Sequence, residues 1–115
     1  MFRRRKKEEV SMTKIINLDT ETFDENIKRG LVLVDFWATW CGPCQLFGKV
    51  LEEFAAEAPA YLKIAKVEVE ANMKLAERFD VMSVPRTILF RDGTPVAEAD
   101  GVQTKAQLME LLKKG

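Results

Sequence analysis

The sequence predicts an α/β fold in the order β-α-β-α-β-α-β-β-α, with helices on both faces of a sheet. Three features carry that prediction. Leu31-Val32-Leu33-Val34-Asp35-Phe36-Trp37 is a near-continuous apolar run of strand length, as a central strand covered on both faces requires. Other short apolar runs alternate along the chain with stretches of helical period, and no repeat or linker interrupts them. A length of 115 residues with 47% hydrophobic and 31% charged side chains suits one core, assigned to residues 12–115.

Residues 1–11 lack periodicity and carry the basic run Arg3 to Lys7 followed by Glu8-Glu9, so a flexible tail is expected, with Met12 as a candidate translation start. Lys14-Ile15-Ile16-Asn17-Leu18 reads as a short strand. Thr22-Phe23-Asp24-Glu25 has capping-box spacing and opens a helix that Gly30 closes. The apolar run 31–37 follows as the core strand. After Cys44, the residues Leu46, Phe47, Val50, Leu51, Phe54, Ala55 and Ala58 recur at helical spacing until Pro59, so a long amphipathic helix begins at the cysteines. Leu62 to Val69 is the next strand and Met73 to Phe79 a short helix. Thr87 to Phe90, the turn Arg91-Asp92-Gly93-Thr94 and Val96 to Asp100 form a hairpin. Thr104-Lys105-Ala106-Gln107 is a second capping-box match and opens a last helix with Leu108, Leu111 and Leu112 on one face.

Charge and composition narrow the function. The net charge is zero, but residues 1–11 hold +3, leaving −3 on residues 12–115, so the folded part shows no basic surface for nucleic acid. No stretch approaches the roughly 20 apolar residues of a membrane span, and no apolar signal segment follows the basic N-terminus, so a cytoplasmic protein with no membrane association is expected. Two cysteines are too few for a secreted disulfide scaffold. With no histidine, one chain cannot supply four Cys/His ligands to a structural zinc ion, and no metal is expected.

The chemistry gathers at Trp40-Cys41-Gly42-Pro43-Cys44. A thiolate attacks disulfides, so a redox cysteine needs a device that lowers its pKa. A sulfur where a strand ends and a helix starts faces unpaired N–H groups and the positive end of the helix dipole. Cys41 is therefore the natural nucleophile. Cys44, one turn further in and better shielded, is the natural resolving thiol. Pro43 fits a first helical turn, and Gly42 leaves room for a bound substrate. The alternative is an inert staple, but a loop this short gains little from closure and its neighbours are not core-filling residues. A C-x-x-C at a strand-to-helix junction in a βαβ pattern is a specific redox signature.

The run Val34-Asp35-Phe36-Trp37-Ala38-Thr39-Trp40-Cys41-Gly42-Pro43-Cys44, with Ala65-Lys66-Val67, Ser83-Val84-Pro85, Phe90-Arg91-Asp92-Gly93 and Gly101, resembles the thioredoxin family over essentially everything after the tail. The resemblance implies the thioredoxin fold, a central mixed β-sheet flanked by four helices. It implies reduction of protein disulfides through a mixed disulfide on Cys41, resolved by Cys44, with no cofactor beyond that redox-active pair. It also implies a cis Val84-Pro85 bond facing the dithiol, where the backbone of residue 84 pairs with an extended client segment. Trp40, Gly42, Pro43, Val84, Pro85 and Gly101 become the substrate-binding surface. Asp35 becomes a buried carboxylate beneath Cys44 that relays a proton, with Lys66 as its neighbour. Without the resemblance, Pro85 reads as a proline opening a strand, and Asp35 as a surface residue of an edge strand.

Two positions depart from the family pattern. Lys49 stands where a helix-kinking proline is usual, and Arg86 where threonine is usual. Arg86 either points outward, where it would attract acidic clients, or lays its stem over apolar surface on the other side of the sheet. Trp37 is expected to pack under the active-site loop. The implied function is an electron-carrier oxidoreductase, a monomeric protein-disulfide reductase maintaining cytosolic redox homeostasis. Its implied partners are thioredoxin reductase, flavin- or iron–sulfur-dependent, and disulfide-containing client proteins. An oxidase or isomerase uses the same chemistry, and a non-catalytic binding module is the alternative of another class. Gly42-Pro43 between the cysteines resembles the reducing branch.

Overall fold

The apolar run at 31–37 becomes the middle strand of a five-stranded mixed sheet in the computed structural model, which describes residues 14–115. The expectations for residues 1–11 and for Met12 lie outside the described residues. The strands are β1 (Ile15–Asn17), β2 (Leu31–Trp37), β3 (Leu62–Glu68), β4 (Arg86–Arg91) and β5 (Thr94–Asp100), in spatial order β1-β3-β2-β4-β5. The helices are α1 (Phe23–Ile27), α2 (Gly42–Glu57), α3 (Met73–Arg78) and α4 (Lys105–Leu112). β3 runs parallel to both β1 and β2, whereas β4 is antiparallel to β2 and β5.

Strand alternation sorts β2 between two cores. Leu31 and Leu33 face α2 and α4, packing with Phe47, Leu51, Phe54 and Leu108. Val32, Val34 and Phe36 face α1 and α3, packing with Phe23, Ile27 and Leu75. Six of the seven β2 residues are buried, so the absence of a polar face in the run reflects cover on both sides. Asp35 belongs to the odd-numbered set, which places it on the α2 face.

The helix starts show one correction and one agreement. The capping box read at Thr22 does not form. The Asp19 carboxylate accepts the Glu21 and Thr22 amides, each at 2.9 Å, and engages the Thr22 hydroxyl at 3.0 Å, so that hydroxyl is spent on the preceding turn. These bonds, led by the Thr22 amide, hold the Asp19 carboxyl below its usual range. α1 ends at Ile27, and Gly30, at φ +71°, reverses the chain into β2. At Thr104 the reciprocal box is complete. Gln107 N–H donates to the Thr104 hydroxyl at 3.1 Å, and Thr104 N–H donates to the Gln107 side chain at 2.8 Å. Thr104→Ala should therefore lower the unfolding free energy by about 1 kcal/mol, read as a shift of the urea midpoint at unchanged slope.

The hairpin turn places Asp92 and Gly93 at φ +50° and +85°, the left-handed pair that a two-residue hairpin loop needs. The Asp92 carboxylate accepts the Gly30 amide at 2.7 Å, tying this turn to the start of β2. α2 runs unbroken for 16 residues with Lys49 on its exposed face. That departure from the family pattern lies away from the sheet.

Candidate active site

β2 ends at Trp37, and the next four residues turn the chain into α2. Cys41 is not the first helical residue but its N-cap, with extended backbone angles. Gly42 and Pro43 open the helix, where the missing proline N–H costs nothing. Cys41 and Cys44 are joined as a disulfide across this turn, their Cα atoms 5.2 Å apart. The Cys44 N–H donates to the Cys41 sulfur at 3.1 Å. A helix N-terminal amide thus already points at the atom that must carry negative charge in the reduced form.

Shielding separates the sulfurs less than the sequence suggests. In the disulfide Cys41 is 5% exposed and Cys44 2%, because Ala38, Trp37, Val69 and Val84 pack around both. The difference between them lies in backbone chemistry. Cys41 receives the capping amide, whereas Cys44 sits inside the helix.

Antiparallel pairing brings the third part of the site to this end of the sheet. Phe36 of β2 lies opposite Arg86 of β4, so the residues just before β4 meet the end of β2. Val84-Pro85 is a cis peptide bond, and the Val84 carbonyl oxygen lies 3.8 Å from the Cys41 sulfur. Gly101, at φ +82°, donates its N–H to the Pro85 carbonyl at 2.8 Å, which sets the start of β4 and the end of β5 side by side. Gly42 is open to solvent, since a Cβ there would meet no atom within 4 Å. Trp40 is 67% exposed, and its indole N–H donates to the Glu70 carboxylate. Trp37 packs against the cysteine cluster, with Lys66 Nζ 4.6 Å above its ring.

Asp35 is 1% exposed and central in the sheet, which rules out the edge-strand reading. Lys66 of β3 and Thr87 of β4 are its cross-strand neighbours. Neither carboxylate oxygen has a hydrogen-bond partner among the described residues, nor has the Thr87 hydroxyl. Burial pushes the Asp35 carboxyl up to about 7, opposed by the nearby Lys66 ammonium. The ammonium sits under α2, 3.7 Å from where a Cβ on Gly48 would be, and makes no ion pair with Asp35. Burial thus brings the carboxyl toward neutrality on the sheet face that carries α2.

Arg86 points to the opposite face from Asp35 and is not an open cation. Its guanidinium pairs with Glu98 and, at 2.6 Å, with Asp100, both on β5. The charge is matched across strands by two carboxylates, a pairing that neither sequence reading contained.

Residues absent from the sequence-based site also gather here. Val69, Met73, Val81 and Met82 join Trp40 and Val84 around a groove of about 510 Å³ beside the disulfide. In the sequence they are only apolar residues, which no local pattern separates from packing; in the fold Met73 and Met82 are exposed and Val69 and Val81 half-buried. Among the described residues no group of three or more His, Cys, Asp or Glu gathers as a metal site, and no helix is long and apolar enough to cross a membrane.

A mixed sheet carrying a C-x-x-C disulfide at a helix N-terminus, faced by a cis-proline, defines a thiol–disulfide exchange protein. The family-wide sequence pattern described as Thioredoxin matches residues 14–114. The chain is 47% identical to a thioredoxin of Staphylococcus haemolyticus over 100 residues, covering 87% of this chain and 96% of the relative. Thioredoxins of Staphylococcus saprophyticus and Staphylococcus aureus are 45% and 44% identical with the same coverage. The chain belongs to the thioredoxin family, has the thioredoxin fold, and acts as a thiol–disulfide reductase through the Cys41–Cys44 pair.

Proposed function

We propose that this reductase serves a range of cytoplasmic client proteins as a monomeric single domain of residues 12–115. The observation that carries the reading is the Cys44 amide aimed at the Cys41 sulfur at the start of α2. In the reduced protein the Cys41 thiolate attacks a client disulfide, forming a mixed disulfide and expelling one client thiolate. Asp35, with Lys66 beside it, accepts the Cys44 proton. The Cys44 thiolate then attacks the Cys41 sulfur, the mixed disulfide breaks, and the second client thiolate leaves. The client gains two electrons and the chain ends as the Cys41–Cys44 disulfide, with no further cofactor required. Trp40, Gly42, Pro43, Val84, Pro85 and Gly101 form the client surface.

Thioredoxin reductase returns the two electrons. Gly42-Pro43 between the cysteines resembles the reducing branch of the family, which suits a compartment whose thiols are kept reduced. In the reduced protein Cys41 should alkylate several-fold faster than Cys44 near neutral pH, because only Cys41 lies at the helix cap. Limited iodoacetamide labelling followed by peptide mass spectrometry reads that order. Preferential labelling of Cys44 would reverse the two roles.

A further inference from the structure

The groove beside the disulfide has charge of one sign. Its apolar wall comes from Trp40, Val69, Met73, Val81, Met82 and Val84, with Met82 86% exposed. Among the described residues its only charged lining residues are Glu70, Glu77 and Asp80. None of the three pairs with a cation among the described residues. Arg78, on the same helix as Glu77, is turned to Asp24 at 2.9 Å and lies over the Phe79 ring. The Trp40 indole N–H donates to the Glu70 carboxylate, and both line the groove. Flexible, polarisable methionines suit varied apolar side chains, whereas exposed carboxylates of one sign discriminate by charge.

We propose that this groove selects client disulfides flanked by a segment that presents an apolar side chain together with lysine or arginine, and disfavours acidic segments. The proposal rests on the reductase reading above and adds the substrate class. The apolar anchor enters between Trp40 and Met82, and the client cation faces Glu77 and Asp80. All three carboxylates are exposed, so each contributes modestly and remains sensitive to salt.

The test uses the full chain and two disulfide peptides that are identical except for two flanking lysines or two flanking glutamates. At low ionic strength kcat/KM should favour the basic peptide roughly fivefold, mainly through KM, as two exposed charge pairs allow. In about 1 M salt, where the Debye length is near 3 Å, the preference should vanish. Combined Glu77→Gln and Asp80→Asn should remove most of it at low salt. Asparagine tolerates the φ of +57° at position 80, so the backbone there is preserved. Glu110→Gln on α4, whose carboxylate pairs with Lys113, should leave the preference intact. Equal kcat/KM for the two peptides at low salt, or a preference that survives the double substitution, would overturn the proposal while leaving the reductase reading standing. Failure to reduce either peptide would overturn both. A concentration-dependent dimer in sedimentation, abolished by the double substitution, would give the groove to a second copy and also overturn it.

Discussion

Cys41→Ser should reduce insulin disulfides no faster than the dithiol buffer alone. The serine hydroxyl stays protonated at neutral pH and is a poor nucleophile toward sulfur, so the Cys44 amide at the helix start would have no anion to stabilise. Cys44→Ser should fail differently. Cys41 would still attack once, but nothing would resolve the product, so mixed disulfides with clients should accumulate and appear as adducts on non-reducing gels. The two variants together read the order of the steps. Adducts from Cys41→Ser in place of Cys44→Ser would reverse the assignment. Both cysteines are buried in the oxidised chain, so circular dichroism should accompany the assay to show that each variant remains folded.

Asp35→Asn should make the protein more stable at pH 8 by up to about 4 kcal/mol, with the gain shrinking toward zero near pH 4. The sign follows from the direction of the shift. Burial raises the carboxyl from 3.8 to about 7 in the folded chain, so the folded state binds the proton more tightly than the unfolded state does. Stability from this group is therefore fully present below pH 3.8 and is lost as pH rises through about 7. Asparagine, neutral throughout, escapes that loss. Since Asp35 has no hydrogen-bond partner among the described residues, the amide replaces no bond of the carboxylate. Urea midpoints across pH 4 to 8 would measure the divergence, and a gain independent of pH would place it outside the titration. On the proposed proton transfer from Cys44 to Asp35, the same substitution should also slow release of client from the mixed disulfide. A stability gain without that delay would leave Asp35 with a structural role only.

Much of the fold is local in origin and was legible for that reason. The apolar run at 31–37, the helical period after Cys44 and the Asp92-Gly93 turn each state their conformation within a few residues, and the observed elements depart from them by one or two positions. The capping box at Thr104 was equally legible because its partners are three residues apart. At Thr22 the same spacing misled, since a residue upstream, Asp19, competed for the hydroxyl. Local pattern names a possible bond, and the wider chain decides which acceptor or donor wins it.

The sequence alone determined the order of elements, the redox pair and its place where a strand meets a helix, because these follow from periodicity and from a spacing of three residues. The tertiary structure alone decided what depends on register. It set Lys66 and Thr87 on either side of Asp35, turned Arg86 toward Glu98 and Asp100, and gathered Trp40, Glu77 and Met82 around one groove. Those residues lie far apart in sequence. A strand's alternation fixes that neighbouring side chains part company, but only pairing with other strands fixes which face each set will share, and with which charges.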